Sequence, residues 1–128
     1  MTSTLSAEWF ERARAVMPGG VSSPVRAFGS VGGTPRYVAS ASGSRVVDVD
    51  GNEYVDLVGA WGPMIAGHAH PAIASAISQA AAESASFGAP AQAEVLLAEE
   101  IVARVEPVER VRFTSSGTEA VMTAIRLA

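Results

Sequence analysis

Residues 109–128 read ERVRFTSSGTEAVMTAIRLA, and this stretch decides the fold class. Apolar and polar side chains alternate over 109–114 as they do in a β-strand, SSG at 115–117 breaks the alternation, and TEAVMTAIRLA begins a helix. A strand, a tight turn and a helix open a βαβ unit, which needs a second parallel strand beside the first. No further strand pattern follows, so we expect the opening part of an α/β fold that continues in a longer protein.

The turn between this strand and this helix is a candidate anion site. Free backbone N–H groups, the hydroxyls of Ser115, Ser116 and Thr118, and the positive end of a helix dipole meet there, which suits a phosphate group. Ser116 and Glu119 also have the S-x-x-E spacing of a capping box, which requires no ligand. The hexapeptide alone favours the cap, and the two interpretations are compatible.

Upstream of this turn the pattern predicts three helices and a hairpin. Residues 5–17 have helical spacing and end at Pro18, and a Gly-, Pro- and Ser-rich loop is expected over 21–43. Two β-prone runs flank Asp50, Gly51 and Asn52 and predict a hairpin over 45–57, followed by a loop over 59–70. Further helices are expected from Pro71 to about residue 84 and over 92–105, the latter with Leu97, Ile101 and Val105 facing inward.

Composition narrows the class of protein. The chain has 128 residues, 48% of them hydrophobic, and a net charge of -4, so it should fold around a core. Cys is absent, which excludes disulfides and thiolate metal sites, and all nine basic side chains are Arg. With this acidic balance and no long apolar run, we expect a cytoplasmic protein that binds neither nucleic acid nor a membrane.

Several side chains could carry chemistry, each with a plainer alternative. Arg26 lies in a Pro-containing loop without an acidic neighbour, where it could hold a carboxylate or form an ordinary salt bridge. Trp61 between glycines could contact a ligand or pack in the core. His68 and His70 lack further ligands at a suitable spacing, so we expect no metal, and His70 should lie at a helix start. DVDGN lacks the outer ligands of a calcium loop and is predicted to be the hairpin turn.

Four segments in the same order resemble the glutamate-1-semialdehyde 2,1-aminomutases, a branch of the class-III aminotransferases. They are GGVSSPVRAF at 19–28, DVDGNEYVDLVGAWGPMIAGHAHP at 48–71, SFGAPAQAE at 86–94 and VRFTSSGTEAVMTAIRLA at 111–128. The hairpin, the helix start at GHAHP and SGTEA are typical of the whole class, whereas SPVRAF, AWGP and SFGAP point to the aminomutases.

The resemblance implies the N-terminal part of a fold-type I pyridoxal-phosphate-dependent transferase that acts as a homodimer. Residues 1–70 would supply the helix, loop and hairpin of a small domain, and 71–128 the helices and first strand-turn-helix of a truncated large cofactor-binding domain. Ser116, Gly117 and Thr118 would hold the phosphate of pyridoxal or pyridoxamine 5'-phosphate. Arg26 would bind the carboxylate of the substrate, glutamate-1-semialdehyde, with help from Ser23, and Trp61 would form a wall of the substrate pocket. The substrate would be converted to 5-aminolevulinate for tetrapyrrole biosynthesis.

One departure from the family separates this chain from a working enzyme. The family uses a Lys to bind the cofactor covalently, and these 128 residues contain none. No catalytic residue is therefore predicted here, and the 128-residue chain alone should have no turnover. Another class-III aminotransferase, or a truncated binding module without catalysis, stays open as an alternative.

Overall fold

A computed structural model describes residues 4–128, which divide into two compact units. The first unit extends to Ala81 and the second runs from Ala82 to Ala128. The helices and strands in chain order are α1 (Leu5–Val16), β1 (Val38–Ser42), β2 (Arg45–Asp48), β3 (Glu53–Val55), α2 (Pro71–Glu83), α3 (Gln92–Arg104) and α4 (Gly117–Leu127). Short 3₁₀ turns occupy Pro18–Gly20, Pro24–Ala27 and Gly59–Trp61. The four predicted helices are confirmed, each within a residue or so of its expected ends.

Helix α1 is bounded by local signals that the sequence shows directly. The Thr4 side chain accepts a hydrogen bond from the N–H of Ala7, at 3.2 Å, and so caps the first turn. The helix stops before Pro18, whose ring cannot continue it, and Gly19 then takes a left-handed φ of 67°. These signals are why the predicted and observed ends agree.

The first unit contains a three-stranded antiparallel sheet in the order β1-β2-β3. The pairing of β2 with β3, which sets Val46 opposite Tyr54, confirms the predicted hairpin. The expectation of an unbroken loop over 21–43 was wrong, because β1 pairs with β2 from Ser42 opposite Arg45 to Val38 opposite Asp48. The sequence VASAS has little of the side-chain signature of a strand, and its ladder hydrogen bonds to β2 are what make it one.

Helix α1 is attached to the sheet through the turn between β2 and β3. The Asp50 carboxylate accepts the N–H of Leu5 at 2.6 Å and that of Ser6 at 3.1 Å, which places a negative charge at the positive end of the helix. Ser6 is fully buried, and the Trp9 ring stacks on the Tyr37 ring at a centroid distance of 6.5 Å. The hydrogen bonds from Ser6 and Leu5 hold the pKa of Asp50 below its usual value.

The second unit holds α3, α4 and the segment between them. Residues 109–114, predicted as a strand, form no β-ladder with any described segment, so the strand assignment is not met. A parallel strand is defined by hydrogen bonds to its neighbours, and residues 4–128 offer this segment no partner strand. The turn and helix that follow it are present as predicted.

Burial is slight in the part of the chain that the structure describes. Ala13 is its one buried apolar side chain, and Leu97 and Val105, predicted to face inward on α3, are 52% and 45% exposed. On α4, Val121 and Ile125 are likewise exposed. The apolar stripes of α3 and α4 are therefore present but uncovered. Among the described helices, none combines the length and the hydropathy that crossing a bilayer would need.

Candidate functional site

An open cavity of about 480 Å³ lies in the first unit, against strands β1 and β2 and the loop after β3. Arg26 and Trp61, two of the three side chains expected to contact substrate, both line it. Ser23, the third, is not among the described residues that line the cavity; its carbonyl oxygen accepts the N–H of Arg26 at 2.9 Å. The structure thus brings Arg26 and Trp61 to one cavity, with Ser23 in the turn beside them.

Arg26 is held in the 3₁₀ turn Pro24–Ala27 and its side chain is available. Pro24 sets the first dihedral angle of the turn, and Phe28 ends it in the left-handed region with φ 59°. Arg26 is exposed, and its guanidinium forms no ion pair with any carboxylate of residues 4–128. The structure therefore offers no support for the salt-bridge alternative, and the planar guanidinium can donate hydrogen bonds to an external anion.

Trp61 sits on a strained loop and is not a core residue. Four consecutive residues have positive φ: Gly59 at 54°, Ala60 at 53°, Trp61 at 66° and Gly62 at 117°. Side chains other than glycine rarely adopt this region, and such strain of about 1–3 kcal/mol per residue persists only where the surroundings impose it. Trp61 is 70% exposed, so core packing does not account for its position.

Asp56 and His68 close this loop at its base. One carboxylate oxygen of Asp56 accepts the N–H of Val58 at 2.8 Å and of Gly59 at 3.1 Å, and the other lies 2.6 Å from Nε2 of His68. The hydrogen bond from His68, followed by those from the two backbone amides, holds the pKa of Asp56 below its usual value. Both side chains also line the cavity of Arg26.

Asp48 and His70 have structural roles. Asp48 is buried and accepts hydrogen bonds from the backbone of Asp50 and Asn52, the Asn52 amide and the Tyr54 hydroxyl. Burial raises the pKa of Asp48, but these hydrogen bonds together outweigh it and hold the pKa below its usual value. DVDGN is therefore the hairpin turn, as predicted. His70 accepts the N–H of Ala74 through its carbonyl at the start of α2, also as predicted.

The start of α4 retains free donors although it is capped. The Ser116 hydroxyl accepts the N–H of Glu119 at 3.2 Å, which is one half of the predicted capping box. The amides of Gly117 and Thr118 donate to no atom of the described chain, and an added Cβ at Gly117 would find nothing within 4 Å. A capped helix start with two unused amides and open space can still bind an anion.

A comparison with protein families covers most of the chain. The model of aminotransferase class-III matches residues 28–128. The chain belongs to the class-III aminotransferases.

Curated relatives in this family cover nearly the whole chain. Glutamate-1-semialdehyde 2,1-aminomutase of Propionibacterium freudenreichii subsp. freudenreichii is 63% identical over 98% of the chain, and that of Rhodopirellula baltica is 57% identical over 93%. The chain spans only 29% and 27% of the length of these two proteins.

Solved structures of transaminases share the fold. An omega-transaminase from Sphaerobacter thermophilus superposes with a TM-score of 0.90 at 40% identity, and the match covers 97% of the chain and 28% of the transaminase chain. A transaminase with PLP bound gives a TM-score of 0.89 at 48% identity, and the match covers 98% of the chain and 29% of that transaminase chain. The predicted fold class, a part of a PLP-dependent class-III transferase, is confirmed.

Sequence reasoning missed one feature of this class-III chain, the pairing of Asp56 with His68. The spacing of His68 and His70 suggests at most a metal site, and within residues 4–128 no three His, Asp or Glu side chains converge to hold a metal ion. The missed signal was that a carboxylate residue and a histidine flank the Gly-rich loop over 56–68, one at each end. Whether they meet depends on how that loop returns to the sheet.

Proposed function

We propose that the chain forms part of a glutamate-1-semialdehyde 2,1-aminomutase, which moves an amine within its substrate and yields 5-aminolevulinate. The observation that carries this proposal is that Arg26 lies unpaired on the same cavity as Trp61, in a chain 63% identical to an aminomutase. An unpaired guanidinium on a partly apolar cavity suits a small substrate that carries a carboxylate.

In this proposal Arg26 binds the substrate carboxylate with two parallel hydrogen bonds. The Pro-fixed turn limits the conformational freedom of its backbone, which reduces the entropy lost on binding. Trp61 would form an apolar wall of the cavity beside the bound substrate. Ser23 would assist through the turn that orients Arg26, since its carbonyl oxygen accepts the N–H of Arg26.

The same proposal assigns the start of α4 to the cofactor phosphate. The residues fit this group: the amides of Gly117 and Thr118 have no partner in the described chain, and the Ser116 hydroxyl accepts from Glu119 while its own hydrogen stays available to donate. When bound, pyridoxal or pyridoxamine 5'-phosphate would supply the electron sink and carry the amine. These three residues would hold and orient its phosphate.

Further parts of the proposal concern the complete protein. The chain contains no Lys, so the residue that binds the cofactor covalently must lie elsewhere and the chain alone should have no turnover. We propose that residues 1–70 contribute to a small domain and 71–128 to the large cofactor domain of a homodimer. The cytoplasmic location expected from composition stays a prediction.

The phosphate assignment can be separated from simple capping by two substitutions at Ser116. Asn and Asp are as good as Ser at a helix N-cap, but Asp adds a negative charge beside the phosphate. In the complete polypeptide, Ser116→Asp should weaken equilibrium binding of pyridoxamine 5'-phosphate by on the order of tenfold or more, while Ser116→Asn binds almost normally. Equal affinities for the two variants would contradict the assignment of the cofactor phosphate to this helix start.

The substrate assignment is tested at Arg26, by following 5-aminolevulinate formed from glutamate-1-semialdehyde. Arg26→Ala should raise KM by roughly tenfold to a hundredfold, the equivalent of losing a charge-assisted hydrogen bond of about 1.5–3 kcal/mol. Arg26→Lys keeps the charge but loses the planar fork, so its KM should fall between. An unchanged KM in Arg26→Ala would contradict the proposal.

A second candidate, another class-III aminotransferase, is favoured by the TM-score of 0.90 to the omega-transaminase. That activity requires a separate amino donor and acceptor rather than one substrate that rearranges. Amine transfer from an ω-amino acid to an added keto acid, without formation of 5-aminolevulinate from glutamate-1-semialdehyde, would support this candidate. Formation of 5-aminolevulinate with no added acceptor would exclude it.

A further inference from the structure

We propose that the Asp56–His68 pair is a positioning device that holds the Trp61 loop (residues 56–68) against the Arg26 cavity, the cavity that Arg26 and Trp61 both line. The identity of the cavity as a substrate site rests on the proposed function, whereas the holding of the loop rests on geometry alone. The pair acts through Trp61 and is not itself assigned contact with reacting atoms.

The Trp61 loop does not account for its own conformation. Ala60 and Trp61 both have positive φ, at 53° and 66°, between two glycines that also do. The loop has little packing to enforce this, since Trp61 is 70% exposed. Its internal hydrogen bonds are short-range, such as the N–H of Trp61 to the carbonyl of Val58 at 3.0 Å. Contacts at the base of the loop must therefore supply the constraint.

Asp56 and His68 supply that constraint from both ends at once. The Asp56 carboxylate binds the amides of Val58 and Gly59, where the positive-φ run begins, and the His68 ring, where the loop ends. The His68 backbone is in turn fixed to Gly43 by two hydrogen bonds of 2.8 and 2.9 Å. The side chains of the pair are only 13% and 20% exposed, so water competes weakly for their hydrogen bond.

The pair also sets the charge that a bound carboxylate meets. Arg26, Asp56 and His68 are the ionisable residues among those lining the cavity. An unshielded Asp56 carboxylate would repel a carboxylate ligand on Arg26, and the ring N–H of His68 hydrogen-bonds one of its oxygens. Loss of His68 should therefore both release Trp61 and expose an opposing charge.

The test uses the complete polypeptide labelled with 5-fluorotryptophan, with the Trp61 fluorine resonance assigned as the one missing in Trp61→Phe. His68→Ala should shift and broaden this resonance, while His68→Gln, whose amide can donate to Asp56, should restore it. Glu53→Gln breaks the exposed ion pair with Arg45 on the same hairpin and is the matched control, which should leave the resonance unchanged.

Kinetics and cofactor binding then separate positioning from general damage. His68→Ala should lower kcat/KM for glutamate-1-semialdehyde on the order of tenfold, mainly through KM, because misplaced binding groups cost affinity and orientation. Its affinity for pyridoxamine 5'-phosphate should match the wild type. A wild-type Trp61 resonance together with a wild-type KM in folded His68→Ala would overturn the proposal.

A cycle of substitutions keeps the inference testable if His68→Ala does not fold. With Asp56→Asn, His68→Phe, which keeps a ring but has no donor, and the double variant, a Trp61 shift in the double variant no larger than in the worse single variant supports a coupled pair. Additive shifts would overturn it. If Trp61 responds as expected but the wild type forms no 5-aminolevulinate, only the proposed function fails.

Discussion

Gly67→Ala tests the backbone contact on which the Trp61 loop closes. A Cβ at Gly67 would lie 3.0 Å from the carbonyl oxygen of Gly43 and 3.1 Å from its carbonyl carbon, and the residue has φ 78°. A non-glycine residue in this region costs roughly 1–2 kcal/mol. Moving Gly43 away strains its two hydrogen bonds to His68, worth about 0.5–1.5 kcal/mol each. The closed loop should therefore lose roughly 2–5 kcal/mol in total.

Hydrogen exchange of the Gly43 and His68 amides measures this loss at the contact itself. In Gly67→Ala both amides should exchange at least about thirtyfold faster, because a loss of about 2 kcal/mol in the free energy of loop opening corresponds to a rate ratio of that size. Gly51→Ala is the control, because Gly51 has a similar φ of 84° but nothing within 4 Å of an added Cβ. In that variant the same two amides should keep wild-type protection. Wild-type exchange of Gly43 and His68 in Gly67→Ala would refute the reasoning.

Three further substitutions follow from the hydrogen bonds of the described residues. Tyr54→Phe removes a donor from Asp48, so the pKa of Asp48 should rise toward its usual 3.8 and acid unfolding should begin at a higher pH, as followed by circular dichroism. Asp50→Asn removes the charge facing the start of α1. The lowered pKa of Asp50 stabilises the fold above pH 3.8, and this stabilisation is lost as the pH falls, so the variant should be less stable than the wild type near neutral pH and its stability should depend less on acid. Equal pH profiles of stability for the wild type and the variant would contradict this. Ser116→Ala should cost α4 about 0.5–2 kcal/mol and speed exchange of the Glu119 amide, whereas unchanged exchange there would show that the cap is unimportant.

The helices of this chain could be predicted because their ends are marked locally. Pro71 at the first position of α2 and the Ser116 cap of α4 act within one turn of the backbone. The β2–β3 hairpin is equally local, since Gly51 adopts the positive φ of 84° that its turn requires. In each case the residues that determine the element lie within the element or next to it.

Strands that depend on distant partners could not be predicted in the same way. The VASAS segment of β1 was missed because its pairing with β2 defines it, and residues 109–114 have the alternation of a strand but no partner in the described chain. The apolar stripe of α3 was predicted to be inward, and Leu97 is nevertheless half exposed. Periodicity shows which face can be buried, but burial needs a second surface.

The sequence by itself determined the class-III family, the helix ends, the β2–β3 hairpin and the candidates Arg26 and Trp61, since all of these depend on residue types and short spacings. Only the tertiary structure decided that Arg26 and Trp61 share a cavity, that Asp50 binds the start of α1, and that Asp56 reaches His68 across the loop. Such contacts join residues 12 to 45 positions apart in the chain. They form only where the path of the backbone brings those residues together, and that path depends on the sum of many weak interactions that no single motif encodes.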